Sequence, residues 1–380
     1  MKLLLGTIMA CLFMGSLVAS AQNKTPVAWK DPSPHKVRFV TVDQDVQLEV
    51  LDWGGKGQPV VLLAGLSNTA HVFDEFALKL AKTYRVYGIT RRGYGASSAP
   101  LDGYDADRMG DDVLAVLDAL KIRKPVLIGH SFGGSDISSV ASRHPERIAG
   151  GIYLDCDEYA YSINRDELLY ENPQWRRHLN ELQQKLAELS KEPRNSRALA
   201  QELLQGAWPQ LQKDLETMAA PPSSPPKSSA VPSAADLQDW PTALAWYRRT
   251  YGADNKLQVP ESEWRQILAT TADGRPMFSY RVDPRIETAI NQGMHRYNNI
   301  PVPALLMLRS VAPLEASADS VAEGRWQNYR ARAQGRADAF LRAAPNGRVV
   351  LLPGANHYVY LSNEEEVLSE IHAFTASLAK

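Results

Sequence analysis

Pro125-Val126-Leu127-Ile128-Gly129-His130-Ser131-Phe132-Gly133-Gly134 decides how this chain is read. A short apolar run enters it, and a helix-compatible stretch leaves it, reaching His144-Pro145. The order is strand, sharp turn, helix, with a serine flanked by glycines at the turn. Gly129 and Gly133 let the backbone pass tightly around Ser131, which the turn places in a strained conformation with its hydroxyl pushed outward. The following helix aims its positive end at that hydroxyl. A glycine-rich turn carrying an incidental serine would look similar, but the partners that such a serine needs also occur downstream and in order.

Outward from this turn, segments alternate. Val37–Val42 and Val46–Trp53 read as a hairpin around Asp43-Gln44-Asp45. Val60–Leu63 is wholly apolar, as a strand buried on both faces should be. A helix over about 72–83, a strand Arg85–Ile89, and a helix over 105–120 with one apolar face follow. After the serine turn come its helix and a strand Gly151–Leu154. The pattern resumes at Ala304–Leu308, with a helix over 320–343, a strand Val349–Leu352 and a closing helix over 364–378. Such alternation predicts an α/β fold, a mostly parallel sheet covered by helices on both faces.

Between residues 158 and 299 the rhythm stops. That stretch reads as a helical cap insertion without a convincing strand, far longer than an ordinary loop, and it holds a Pro/Ser-rich loop over 219–233. The core is then residues 22–157 and 300–380, and the insertion should cover the carboxyl ends of the strands, where ligands bind in such sheets. Residues 1–21, with Lys2, an apolar run and Ala19-Ser20-Ala21, read as a signal peptide, so the mature protein is expected in the periplasm or secreted. A retained anchor is the competing reading, since 19 apolar residues could just span a bilayer. Once the signal is removed, no stable membrane association is expected. Two cysteines occur, and loss of Cys11 with the signal leaves Cys156 alone, which excludes an internal disulfide. A net charge of −1 argues against a nucleic-acid partner. The His and Cys spacings match no metal motif, so neither metal nor cofactor is expected.

A serine nucleophile needs a base, an acid to orient that base, and donors for an oxyanion. Among eight histidines, His357 follows the last strand in a loop, Pro353-Gly354-Ala355-Asn356-His357, and is the base candidate. His130 adjoins Ser131 and should point away from its hydroxyl, while His71, His295 and His372 read as cap, loop or surface residues.

Together these residues resemble the α/β-hydrolase superfamily. The likeness covers nearly all of the mature chain outside the insertion, including Ala64-Gly65-Leu66-Ser67 and Arg92-Gly93-Tyr94-Gly95-Ala96-Ser97. It implies that the backbone N–H groups of Leu66 and Phe132 form the oxyanion hole. The second turn, preceded by Thr90 in place of a frequent aspartate, reads as structural. Most relatives carry the acid after the penultimate strand, but there Arg309-Ser310-Val311-Ala312-Pro313 places Ala312 where the aspartate should be. Some lipases and the haloalkane dehalogenases place it instead at the end of the strand after the nucleophile helix. Asp155 occupies that position, 24 residues beyond Ser131, and is favoured; Asp157 is the next candidate, then Glu315 or Asp319.

The expectation is therefore a serine hydrolase acting on a small-molecule ester or related acyl bond. A small-peptide or C–C bond hydrolase of the same fold is an alternative, and a decayed relative used for binding is a second. Trp246 and Arg249 are candidate substrate contacts within the insertion, though cap-core and surface roles are the plainer reading of such residues.

Overall fold

A computed structural model describes residues 29–156, 160–161, 231–251, 259–280, 282–310 and 320–378, with parts of 181–212. The side chains of 320–329 are not among those described. Met1–Asp31 forms one unit and Pro32–Lys380 the other. The expected signal peptide, most of the Pro/Ser-rich loop, and Asp157, Ala312, Glu315 and Asp319 lie outside the described residues.

Eight strands form the main sheet: β1 Lys36–Asp43, β2 Val46–Gly54, β3 Pro59–Leu63, β4 Arg85–Ile89, β5 Val126–His130, β6 Gly150–Leu154, and two later ones. Two more, β7 Leu268–Thr270 and β8 Pro276–Tyr280, stand apart; β9 Ala304–Ser310 and β10 Gly347–Pro353 complete the main sheet. Its order is β1-β2-β4-β3-β5-β6-β9-β10. The β1–β2 and β2–β4 pairs are antiparallel and every other pair is parallel. All five residues of β5 and of β6 are buried, which is why Val126–Ile128 and Ile152–Leu154 are apolar without alternation.

Helices cover both faces. On one side lie α2 Ala106–Ala119, α3 Gly133–Arg143 and part of the long helix Ser320–Ala343, packing Val113, Val140 and Phe340 on Leu127 and Leu306. On the other, α1 Asp74–Leu80 and the C-terminal Glu364–Ser377 pack Phe76 and Ile371 on Leu62, Ile128 and Met307. Each such fully buried Leu, Ile or Phe contributes roughly 1.5–3 kcal/mol. The periodic apolar face read from residues 105–120 thus becomes α2, capped by Asp105, whose carboxylate accepts from Arg108 N–H at 2.9 Å.

Two expectations need correcting. The insertion is not purely helical: besides α4 Ser196–Gln205, α5 Trp240–Tyr251, α6 Glu261–Ile267 and α7 Pro284–Gln292, it contains the antiparallel pair β7–β8. Its turn is made by Asp273-Gly274, with Gly274 at φ +83° donating its N–H to Thr271 O at 2.9 Å. Asp-Gly is a strong hairpin signal, but the three-residue strand before it is too short to show alternation. The other correction is the segment around His71, which is itself 2% exposed, with Asp74 3.2 Å from Nδ1 and Glu49 3.4 Å from Nε2. The segment expected as one helix there is a 3₁₀ turn, Ala70–Phe73, followed by α1.

Candidate active site

Ser131 follows β5 directly and takes φ +50°, a left-handed conformation that a non-glycine residue holds only when its surroundings enforce it. The enforcement is visible. Its N–H donates to Leu154 O of β6 at 3.0 Å, and its carbonyl accepts from Gly134 N–H at 3.0 Å. A Cβ on Gly129 would lie 2.5 Å from the Gly133 backbone, and one on Gly133 would lie 2.3 Å from Leu63 O. Strand, helix start and neighbouring strand therefore close to distances that only glycine permits.

Asp155 ends the next strand and repeats the device, with φ +45° and its N–H donating to Met307 O of β9 at 2.7 Å. Asp is among the few non-glycine residues that tolerate this region. Its side chain is fully buried, and Oδ2 accepts from His357 Nδ1 at 2.7 Å. Of the candidate acids only Asp155 lies among the described residues, and it does meet His357. The other contacts of the carboxylate were not anticipated. Arg309 at the end of β9 gives its backbone N–H to Oδ1 at 3.2 Å and places Nε 3.1 Å from Oδ2. Arg336 of α8 Ser320–Ala343 lies 3.6 Å from Oδ1 and donates to Cys156 O at 2.8 Å. Burial alone would raise the Asp155 carboxyl, but the His357 bond, Arg336 and Arg309 outweigh it and hold the group below the usual carboxylate value. The register pairing Leu154 with Met307 sets Arg309 one residue beyond the level of Asp155, within reach of its carboxylate; Arg336, in a charged helix far along the chain, carries no sequence signal.

His357 sits one-third exposed in the loop after β10. Gly354 at φ +69° turns the chain there and donates to Ser310 O at 2.8 Å. With Nδ1–H directed at Asp155, the neutral ring carries its acceptor lone pair on Nε2. His130 is no rival base. It is buried beside Ser131, its Nε2 lies 2.9 Å from the His357 carbonyl, and its ring lies 4.6 Å from the His357 ring. Burial and the neighbouring His357 push its imidazole down to about 3, so it is neutral and donates Nε2–H to that carbonyl. His130 thus ties the turn that carries Ser131 to the loop that carries His357.

The loop after β3 closes the site. A Cβ on Gly65 would lie 3.2 Å from Ser131 Cβ and 3.1 Å from His130 Nδ1. Behind this loop Arg91, buried and bonded to Asp136 at 2.6 Å, donates to Ala64 O at 3.0 Å and Gly65 O at 3.4 Å. In a trans peptide the C=O and the next N–H point in opposite directions. Holding Gly65 O toward Arg91 therefore turns Leu66 N–H away from it. Phe132, at the start of α3, is buried with Tyr94 against Ile286 and Ile290 of α7, so the insertion packs on the turn at Ser131. Sequence reading treated the turn near Arg91 as structural and missed its grip on this loop.

The expected substrate contacts are placed within the insertion. Trp246 is buried with Trp240, Tyr247 and Ile267 and makes an edge contact with Phe278 at 5.8 Å. Arg249 is exposed, 3.6 Å from Asp236. Cys156 is buried behind the turn, its thiol donating to Gly129 O at 3.2 Å.

Residues 60–370 match the model of the alpha/beta hydrolase family. Among curated relatives, the non-heme chloroperoxidase of Burkholderia pyrrocinia is 37% identical over 102 residues, 26% of this chain and 37% of that one. A bifunctional esterase/perhydrolase of Acinetobacter calcoaceticus is 33% identical over 109 residues, 28% of this chain and 40% of that one. The alignments thus span well under half of either relative. In structure, the chain is similar to E-2-(acetamidomethylene)succinate hydrolase, with a TM-score of 0.54 at 18% identity over 90% of this chain and 99% of that one. An esterase from Rhodococcus sp. gives 0.50 at 19% identity over 90% and 99%, a likeness of fold at such identities. With the sheet order, the turn at Ser131 and the match over most of its length, the chain belongs to the alpha/beta hydrolase family.

Proposed function

We propose that this protein is an exported serine hydrolase that cleaves a carboxylic ester or related acyl bond of a small molecule through an acyl-enzyme. The observation that carries the reading is the 2.7 Å contact between buried Asp155 and His357, beside a serine held at φ +50°. Ser131 Oγ attacks the acyl carbon as its proton passes to His357 Nε2, and the carbonyl electron pair moves onto oxygen. The backbone N–H groups of Leu66 and Phe132 receive that oxyanion. On collapse the leaving group departs with the proton from Nε2. Water repeats the sequence on the acyl-enzyme and releases the acid.

Asp155 stays ionised throughout, fixing the tautomer and stabilising the imidazolium. The Acinetobacter relative, an esterase and perhydrolase, supports an ester over a peptide or C–C bond. The Asp155–His357 contact argues against a decayed site. Export rests on the N-terminal sequence alone.

A fluorophosphonate probe is expected to label the folded protein and not Ser131→Ala. Absence of labelling in folded wild type overturns the reading. Esters, amides and short peptides assayed side by side then test the bond, and peptide cleavage without ester cleavage would move the substrate class.

A further inference from the structure

The insertion grips the loop that carries Leu66. Glu263 of α6 is fully buried, and its Oε1 accepts from Thr69 N–H at 3.0 Å and from Asn68 Nδ2 at 2.9 Å. Its Oε2 accepts from the Thr69 hydroxyl. Glu287 of α7 accepts from the Ser67 hydroxyl. Three consecutive residues of the loop are therefore bound by two carboxylates from the insertion. Ser67 itself is at φ +63°, a conformation that relaxes unless it is held. Arg91 fixes Ala64 and Gly65 from the core side. Leu66 is thus suspended between an inner anchor and an outer one.

We propose that Glu263 is a positioning residue for the oxyanion loop, so that the insertion, besides covering the substrate, sets the geometry of the hole. The inference rests on the serine-hydrolase reading above. Glu263 also reaches the other side of the site. Asn68 receives the Tyr358 hydroxyl on Oδ1 at 3.1 Å while donating to Glu263, and Tyr358 is the neighbour of His357 in the chain. One buried carboxylate orients the Asn68 amide and, through it, both loops. Burial makes the arrangement depend on that carboxylate, because Thr69 is fully buried and Asn68 nearly so, which leaves water a poor substitute acceptor.

The test compares Glu263→Met with Glu263→Gln in the full chain. Met fills a similar volume without an acceptor, whereas Gln keeps Oε1 for both N–H donors. For a p-nitrophenyl ester, Glu263→Met is expected to lower kcat by about 10- to 100-fold, below the loss on deleting a hole donor outright. KM should stay within about threefold, since the interaction concerns the transition state. An aryl trifluoromethyl ketone, whose hemiketal oxyanion occupies the hole, should bind more weakly by a similar factor. Glu263→Gln is expected to recover to within about threefold of wild type in both readouts. Fluorophosphonate should still label Glu263→Met to completion, only more slowly.

Wild-type kcat and ketone affinity in folded Glu263→Met overturn the inference while Ser131→Ala stays inactive. Activity retained in Ser131→Ala overturns the underlying reading instead. Should Glu263→Met not fold, Thr69→Val removes one of the three bonds isosterically, together with the cap that the hydroxyl gives His71 N–H, and Thr69→Ser, which keeps both, serves as its control. The kcat of Thr69→Val is then expected to fall at least about fivefold, and a value within twofold of wild type overturns the inference.

Discussion

Replacing Asp155 by Asn removes one charge at constant shape, and the structure bounds what that costs. Asn tolerates the left-handed backbone found there, φ +45°, so the strand end should survive. Every described partner of the carboxylate is a donor: His357 Nδ1, Arg309 N–H and Nε, and Arg336. The new NH₂ must therefore oppose a donor on one side or the other. If it faces His357, the ring takes the wrong tautomer and loses its acceptor at Nε2. If it faces the arginines, their two charges stand beside the forming imidazolium with no anion between. A unit charge pair about 4 Å apart at an effective dielectric of about 20 is worth about 4 kcal/mol, or roughly a thousandfold in rate. With the tautomer penalty the expected loss in kcat/KM is about 10³- to 10⁴-fold on a short-chain ester. Asp157→Asn, assayed beside it, should lose less than about threefold. Near-ultraviolet circular dichroism checks that both variants fold. A tenth or more of the activity left in Asp155→Asn, or an equal loss in Asp157→Asn, would refute the assignment of the acid.

Other perturbations have equally definite outcomes. Gly133→Ala puts a Cβ 2.3 Å from Leu63 O in the tightest turn of the site, and should cost several kcal/mol in urea unfolding as well as activity. Arg91→Met strands the buried Asp136 and should destabilise by about 3–5 kcal/mol. Adding Asp136→Leu should restore most of that stability without restoring kcat, because Ala64 O and Gly65 O still lack the guanidinium; recovery of both would mean that Arg91 matters only for folding. Glu263 has its carboxyl pushed up to about 7 by burial, against bonds from Thr69 and Asn68 and the influence of His71. A raised folded value means that the native state binds this proton more tightly, so the Glu263 contribution to stability is greatest below about 4.5 and is lost as pH rises through about 7. Glu263→Gln should remove that dependence and gain up to about 3 kcal/mol on wild type between pH 4.5 and 7.5. Parallel denaturation curves for the two proteins at both pH values would contradict the burial argument.

Much of this was legible in the linear chain because local physics wrote it there. Strands buried on both faces must be apolar throughout, so β3, β5 and β6 announced themselves, and the single buried face of α2 showed its helical period. The turn at Ser131 needs glycine where backbones approach to less than a Cβ allows, and that demand survives as a motif. His357 followed from its place after the last strand. The short hairpin β7–β8 escaped because three residues cannot display alternation, and His71 because an isolated histidine carries no sign of burial.

Composition and order along the chain thus determined the fold class, and supplied the candidate nucleophile, the candidate base and a short list for the acid. Tertiary structure alone brought Asp155 to His357 across 202 positions and surrounded the acid with Arg309 and Arg336. It alone set Arg91 and Glu263 on opposite sides of one loop. The reason is physical: a turn or a strand imposes its requirement on neighbours in sequence, whereas the charges around a buried carboxylate come from whichever elements the sheet order places beside it. No spacing along the chain records that choice.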